Sequence, residues 1–357
     1  MNKKIHIWTP SLSENNGQNI VTRALIDLQQ DNCIVTQYPS GISGLIGSFF
    51  CSLTYLISNL FLKSDAIIFL IVSRSIAGGI RDLPCLLLAI FNKKVICHVH
   101  GSDLVSLLSH RVFGCVFSFL YRRCVLVVPS AHVVSALKAC GLSNIVVCEN
   151  FVINTSLAEF EKKSRQIKKV RRDNFKILWN SNILSSKGIF DLCQAVVMLA
   201  QKYPQIKLEI LGKPIADEEM PINTVRNEIK KYSSYECIKF VGIVSESETF
   251  SYLADADIVT LISTYKSECQ PLAVISAMAL NKKILVTNTP ALRETTKNYP
   301  NVYFVDRELK SIIKALEIFI MNRNNRIPQD ISINYEVLNR FSQLRFEKEI
   351  SEIINDL

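Results

Sequence analysis

The chain has 357 residues, of which 48% are hydrophobic and 20% charged, and it carries a formal charge of +9. That apolar content fills the cores of two domains of ordinary size and excludes a disordered polymer. The charge suits an anionic partner, but no basic stretch is interleaved with aromatics or glycines, so no nucleic acid is expected, and a phosphorylated ligand or an anionic membrane surface fits instead.

Met1-Asn2-Lys3-Lys4 leads directly into a strand-like Ile5-His6-Ile7-Trp8 with no apolar signal core, which makes the cytoplasm the expected location. A helix follows from about Gln18 to Gln30, then a strand from Ile34 to Gln37. From Ile42 to Leu62 no residue is charged, a length that would suffice to cross a bilayer. Gly44, Gly47, Ser48, Ser52 and Asn59 interrupt it, and a single crossing would strand the first strand and helix on the far side. A buried or membrane-touching helix is the first reading, a span the other. Strands at Ala66–Val72, Val95–His100, Leu126–Pro129 and Ile145–Cys148 continue the alternation. Near-continuous apolar runs such as Val125–Val128 imply a parallel, doubly wound sheet covered on both faces. The cysteines, eleven in all and without a C-x-x-C pair, read as buried thiols of a reducing compartment.

Between Glu161 and Asn174 seven lysines and arginines crowd together. This marks a domain boundary, either as a solvated linker or as a segment attracted to anionic headgroups. The alternation then restarts with Phe175–Trp179, a helix over Ile189–Tyr203, strands Leu208–Leu211 and Ile238–Val241, a helix over Ser247–Ala254, strand Ile258–Ile262, a helix over Leu272–Leu280 and strand Ile284–Val286. A last amphipathic helix runs from Glu336 to Leu357. The expected domains are 1–165, 166–334 and a C-terminal helix, 335–357, packing back toward the first domain.

Two stretches of the second half share one design, an apolar strand, a polar loop and a helix start: Phe175–Trp179 with Asn180–Gly188, and Ile258–Ile262 with Ser263–Leu272. In an open parallel sheet such loops meet at the carboxyl ends of the strands. Helix amino termini expose unpaired N–H groups there, suited to a diphosphate.

Ser181-Asn182-Ile183-Leu184-Ser185-Ser186-Lys187-Gly188-Ile189-Phe190-Asp191-Leu192 resembles the first donor loop of the family 4 glycosyltransferases, in the form found in bacterial surface-polysaccharide and lipopolysaccharide enzymes. Glu268–Ala279 with Ile284–Glu294 resembles that family's carboxylate loop, helix and next strand, and Val95–Asp103 its histidine-glycine element. The resemblance implies an α/β fold of two Rossmann-like parallel-sheet domains facing across a cleft (GT-B). It implies a retaining hexosyltransferase that moves a sugar from a nucleotide sugar to a glycan acceptor, with no metal or other cofactor; the apolar first domain and its basic neighbour add the expectation that the acceptor is lipid-linked at the inner face of the cytoplasmic membrane. Lys187, with Gly188 at the helix start, is assigned to the donor diphosphate; Glu268 to the donor sugar; His100 to the reaction centre; Gly17 to close approach of backbone to substrate. Asn182 stands where many relatives carry an arginine, and Ser276 where a second glutamate binds ribose hydroxyls. Gln270 falls where an aromatic is common; Pro271 and Leu272 match, and the N–H groups of Gln270, Leu272 and Ala273 are placed near sugar or phosphate.

Each residue also has a plainer reading. Lys187 would be a solvated helix end, and His100 a structural hydrogen bonder. His98 and His100, on one strand face, lack a third metal ligand. Asp255-Ala256-Asp257 imitates a metal motif but precedes its strand, away from the site. The alternatives in function are a non-catalytic nucleotide-sugar-binding partner of another transferase, and a sugar-nucleotide epimerase of the same fold.

Overall fold

The computed structural model describes residues 4–13, 16–29, 32–38, 45–61, 66–73, 75–152, 174–322 and 334–357. The chain divides into two compact units, one of Met1–Phe151, Lys266–Gln270 and Leu344–Leu357, the other of Val152–Tyr265 and Pro271–Gln343. Each is built on a six-stranded, all-parallel sheet; the strand pattern predicts the six strands of the first unit and five of the second, and the structure adds Val302–Val305.

In the first unit the strands are β1 (Ile5–Pro10), β2 (Cys33–Tyr38), β3 (Ile67–Ile71), β4 (Lys94–His98), β5 (Val125–Val128) and β6 (Ile145–Val147), in the order β2-β1-β3-β4-β5-β6. The helices are α1 (Gly17–Leu28), α2 (Leu45–Leu60), α3 (Ile76–Leu87), α4 (Leu104–Leu108), α5 (Gly114–Tyr121) and α6 (Val134–Ala139). The connection through α1 runs one way along the sheet and those through α2, α3 and α4–α5 run the other. Right-handed crossovers therefore put α1 on one face and the remaining helices on the opposite face. Alternation along the strands fills both layers. Ile68, Leu70, Val95 and Cys97 belong to the cluster that includes Leu86, Leu107 and Phe117, while Phe69 and His98 face the other way, where Phe346 stacks on His98.

The second unit carries β7 (Phe175–Asn180), β8 (Ile206–Leu211), β9 (Ile238–Gly242), β10 (Ile258–Leu261), β11 (Lys283–Thr287) and β12 (Val302–Val305), in the order β12-β11-β10-β7-β8-β9. Its helices are α7 (Ile189–Ala200), α8 (Ile222–Tyr232), α9 (Glu246–Asp255), α10 (Leu272–Ala279), α11 (Pro290–Thr295), α12 (Leu309–Met321) and α13 (Tyr335–Arg340). One core runs through it, with Ile177, Trp179, Val196, Ile210, Ile258 and Leu285 fully buried.

Three expectations change. The single helix over Glu336–Leu357 is two, α13 and α14 (Gln343–Asn355), because the backbone at Phe341–Ser342 turns aside to pair with Val152. Leu344–Leu357 is counted with the first unit. The uncharged segment contains only the 16-residue α2, and among the described residues no helix is long and apolar enough to cross a membrane. Residues 42–44 and 62 of that segment, the basic run up to residue 173 and the boundary at 165/166 lie outside the described residues. Finally, β4 stops at His98, so His100 stands in the loop beyond the strand.

Candidate active site

In the second unit β7 and β10 are neighbours, yet the chain leaves β7 toward β8 and leaves β10 toward β11, in opposite directions. The loops after these two strands separate there, at the topological switch point where ligands of open parallel sheets sit. The β7 loop is fixed along its length. Trp179 Nε1 donates to the Ser181 carbonyl at 2.9 Å, the Ile183 N–H to Lys213, and residues 185–187 form a 3-10 turn. Gly188 ends that turn at φ +78° and starts α7. Any other residue would place a Cβ 2.3 Å from the Ile262 carbonyl oxygen, so the close approach of the two loops requires glycine.

Lys187 Nζ donates to Ser181 Oγ at 3.1 Å and lies 5.6 Å from the centre of the Tyr265 ring, half-buried. Behind it, no side chain from Gly188 caps the first turn of α7, and none from Pro271 caps that of α10. An ammonium thus stands beside a helix start at the switch point, the charge distribution that a diphosphate needs.

The turn carrying Lys187 is held by charges that the sequence did not disclose. Arg307, just beyond β12, donates through Nε to Asp191 at 2.7 Å. Its terminal nitrogens reach the carbonyls of Ser185 at 2.8 Å and Ser186 at 3.3 Å, Thr264 Oγ1 at 2.7 Å and both Glu219 oxygens. Asp217 receives the N–H and hydroxyl of Ser186 at 2.8 and 2.7 Å. The bond from Arg307 holds the Glu219 carboxyl below its ordinary pKa. Burial alone would raise Asp217, but hydrogen bonds from Ser186, Met220 and Glu219 outweigh it and lower that carboxyl too. Both are therefore fixed anions. The Arg307 partners on β7–β8 loops and on α7 lie far away in sequence, so pattern alone does not pair them. A lone arginine past a strand end on the switch-point edge was the available signal, and it needed β12 to be recognised first.

In the first unit the His100 ring lies 4.3 Å from that of His98. Two residues on, the Ser102 hydroxyl donates to the Lys266 carbonyl, tying the histidine-glycine loop to the stretch that bears Glu268. Cys269, next to Glu268, is buried in the core of this unit and its thiol is pushed up to about 12, chiefly by burial. The Gln270 side chain accepts from the Asn150 N–H at 2.6 Å and donates to Glu149 at 3.0 Å, while its carbonyl accepts from Asn150 Nδ2 at 2.9 Å. Its side chain is thus engaged in holding the loop. Gly17 opens α1 in the loop after β1, with Asn16 capping the helix through the Asn19 N–H.

The structure accordingly gathers Lys187 and Gly188 with Ser181 and Tyr265 in one unit, and the His100 loop with the Lys266–Gln270 stretch in the other. Asn182 sits half-buried within the β7 loop; Leu272, Ala273 and Ser276 lie partly exposed on the first turns of α10, after Pro271. Asp255 and Asp257 bind Lys176 at the opposite end of β7, as ion pair and as acceptor of its N–H at 2.7 Å. Among the described residues no group of three or more histidines, cysteines, aspartates and glutamates is arranged to hold a metal ion.

Residues 160–334 match the family described as Glycosyl transferases group 1. Two curated relatives align at 26% identity. An alpha-monoglucosyldiacylglycerol synthase of Acholeplasma laidlawii matches over 172 residues, 47% of this chain and 40% of that protein. A protein of Haemophilus influenzae called "Uncharacterized glycosyltransferase" matches over 157 residues, 43% of this chain and 42% of that protein. The matched region spans about two fifths of these relatives. The crystal structure of HepE from Anabaena in complex with UDP and glucose is similar over 100% of both chains, with a TM-score of 0.72 and 15% identity. This likeness is one of fold, and it identifies the pair of six-stranded parallel sheets as the GT-B architecture.

Proposed function

We propose, from the match of residues 160–334 to the glycosyl transferases group 1 family, that the protein is a retaining glycosyltransferase. It moves a hexosyl group from a nucleotide sugar to a glycan acceptor, lipid-linked and presented at an anionic membrane surface, in the assembly of a cell-surface polysaccharide. The finer resemblance, to family 4, belongs to the same proposal. The observation that carries it is Lys187, beside an uncapped helix start at the switch point and held there by a glycine with φ +78°.

Negative charge grows on the leaving diphosphate as the glycosidic bond breaks. Lys187 and the α7 N–H groups meet that charge without rearranging, and so lower the barrier. Glu268 holds the hydroxyls of the donor sugar and His100 donates near the reacting carbon. The acceptor attacks from the side that the diphosphate leaves, and a phosphate oxygen takes its proton. No metal enters this scheme.

Incubation with a panel of nucleotide sugars, followed for released nucleotide and for the anomeric configuration of the product, tests it. A non-catalytic binding subunit, the reading that Asn182 and Ser276 favour, would release none. An epimerase would return an altered nucleotide sugar.

A further inference from the structure

Helix α2 is amphipathic in the inverted sense. Its buried side carries small polar residues, with Ser52 0% and Asn59 2% exposed beside Tyr55 and Leu56, while its outer side carries Phe50 at 60% and the next residue after the helix, Phe61, at 88%. The spacing Ile46, Phe50, Leu53, Ile57, Phe61 is that of one helical face. The inward polar groups find partners, save Asn59 Oδ1, which is buried without one. Tyr55 donates to the His6 carbonyl at 2.8 Å, and Ser52 and Asn59 bond to the helix's own carbonyls. Water is a poor solvent for this row of side chains, and the described polar residues exposed beside it on the helix are only the short Thr54 and Ser58.

The face is not confined to one helix. α2 packs against α3 and α3 against α5, where Gly79 admits Leu107 and Phe117. All three lie on the same side of the sheet, and more than half of the exposed large apolar side chains among the described residues belong to this layer, including Ile80, Phe91, Val116 and Phe119. Scattered apolar residues are ordinary on a protein surface, whereas a contiguous sheet of them marks a docking site.

Charge selects the partner. Between residues 45 and 61 nothing is charged, and from 75 to 123 the only acids are Asp82 and Asp103 against six lysines and arginines. Asp82 is buried and satisfied by Trp8, the Ser73 N–H and Arg81. Arg111, Arg122 and Arg123 are exposed around α5, with Arg123 stacked on Phe119. Aromatic and aliphatic side chains bordered by cations, with acids nearly absent, match the acyl boundary and phosphates of an anionic bilayer.

We infer that the outer face of α2, α3 and α5 is the surface by which this protein sits on an anionic lipid bilayer. This rests on the proposed function only in supplying a reason for the placement, since the contact itself needs no donor and no turnover.

The test is flotation of the full chain with vesicles of phosphatidylcholine, alone or mixed with phosphatidylglycerol, without nucleotide sugar. The protein should float only with the anionic vesicles. F50S/F61S should weaken binding about ten-fold or more per phenylalanine, and R111E/R123E should abolish its dependence on phosphatidylglycerol. Both double variants alter exposed side chains and should keep the wild-type circular dichroism and rate of nucleotide release. No binding to anionic vesicles, equal binding by all variants, or a concentration-dependent dimer that F50S/F61S disperses would overturn the inference, the last by showing that a second copy covers the face. Vesicle binding without nucleotide release from any donor would defeat the transferase proposal and leave this one standing.

Discussion

Arg307 donates through Nε to the Asp191 carboxylate at 2.7 Å, and the same guanidinium holds the carbonyls of Ser185 and Ser186. One side chain thus fixes both the start of α7 and the turn that aims Lys187. Arg307→Gln should cost about 2 kcal/mol of stability, a figure discounted because its carboxylate partners are well exposed. It should lower turnover with little change in donor KM, since the residue positions another group. Arg307→Lys keeps the charge but not the planar fork and should not restore turnover. Equal kinetics for wild type and both variants would remove the positioning role.

The same bond has a pH signature. Glu219 is held below its ordinary pKa by Arg307. Its contribution is complete above the unfolded carboxylate value, about 4.3, and is lost as pH falls from there through the lower folded one. Urea denaturation at stepped pH should show this acid loss in the wild type and a smaller one in Arg307→Gln.

Gly188 should not accept a side chain. Gly188→Ala combines a left-handed backbone, φ +78°, with a Cβ 2.3 Å from the Ile262 carbonyl, and neither backbone yields cheaply. A loss of about 2–4 kcal/mol in chemical denaturation is expected. A loss below half a kcal/mol would mean that the two loops are not held as described.

His98 supplies a second pH dependence. It is fully buried among Phe69, His100 and Phe346, and burial pushes its pKa down to about 4. The unfolded chain takes up a proton near the ordinary histidine value and the folded one does not, so stability falls as pH drops from about 6.5 to about 4, by about 3 kcal/mol at most. His6, also lowered by burial, acts in the same direction. His98→Phe should flatten the pH–stability curve in this window. A curve of unchanged slope would show that His98 does not titrate on unfolding.

The strands were legible in the sequence because parallel strands covered on both faces are apolar throughout, and Val125–Val128 or Ile67–Ile71 admit little else. The place of Lys187 before the start of α7 was legible for a similar reason, since strand, loop and helix start are local in sequence. Other features depend on distant partners. β12, an edge strand with exposed Tyr303 and Phe304, lacks the buried signature. The break between α13 and α14 follows from pairing with Val152, and the Gln270 side chain is bonded to Asn150 and Glu149, partners that lie far away in sequence. α2 was legible only in part: its lack of charge suggested a buried or membrane-touching helix or a span, and its orientation on the sheet shows which apolar residues turn outward.

The central claim concerns the Lys187 ammonium, and single-turnover kinetics of Lys187→Ala and Lys187→Gln with a nucleotide-sugar donor test it most directly. Turnover should fall about a hundred- to thousand-fold, while donor affinity changes far less, because the charge acts mainly on the diphosphate as it departs. Wild-type turnover in both variants, with the protein folded, would contradict the account.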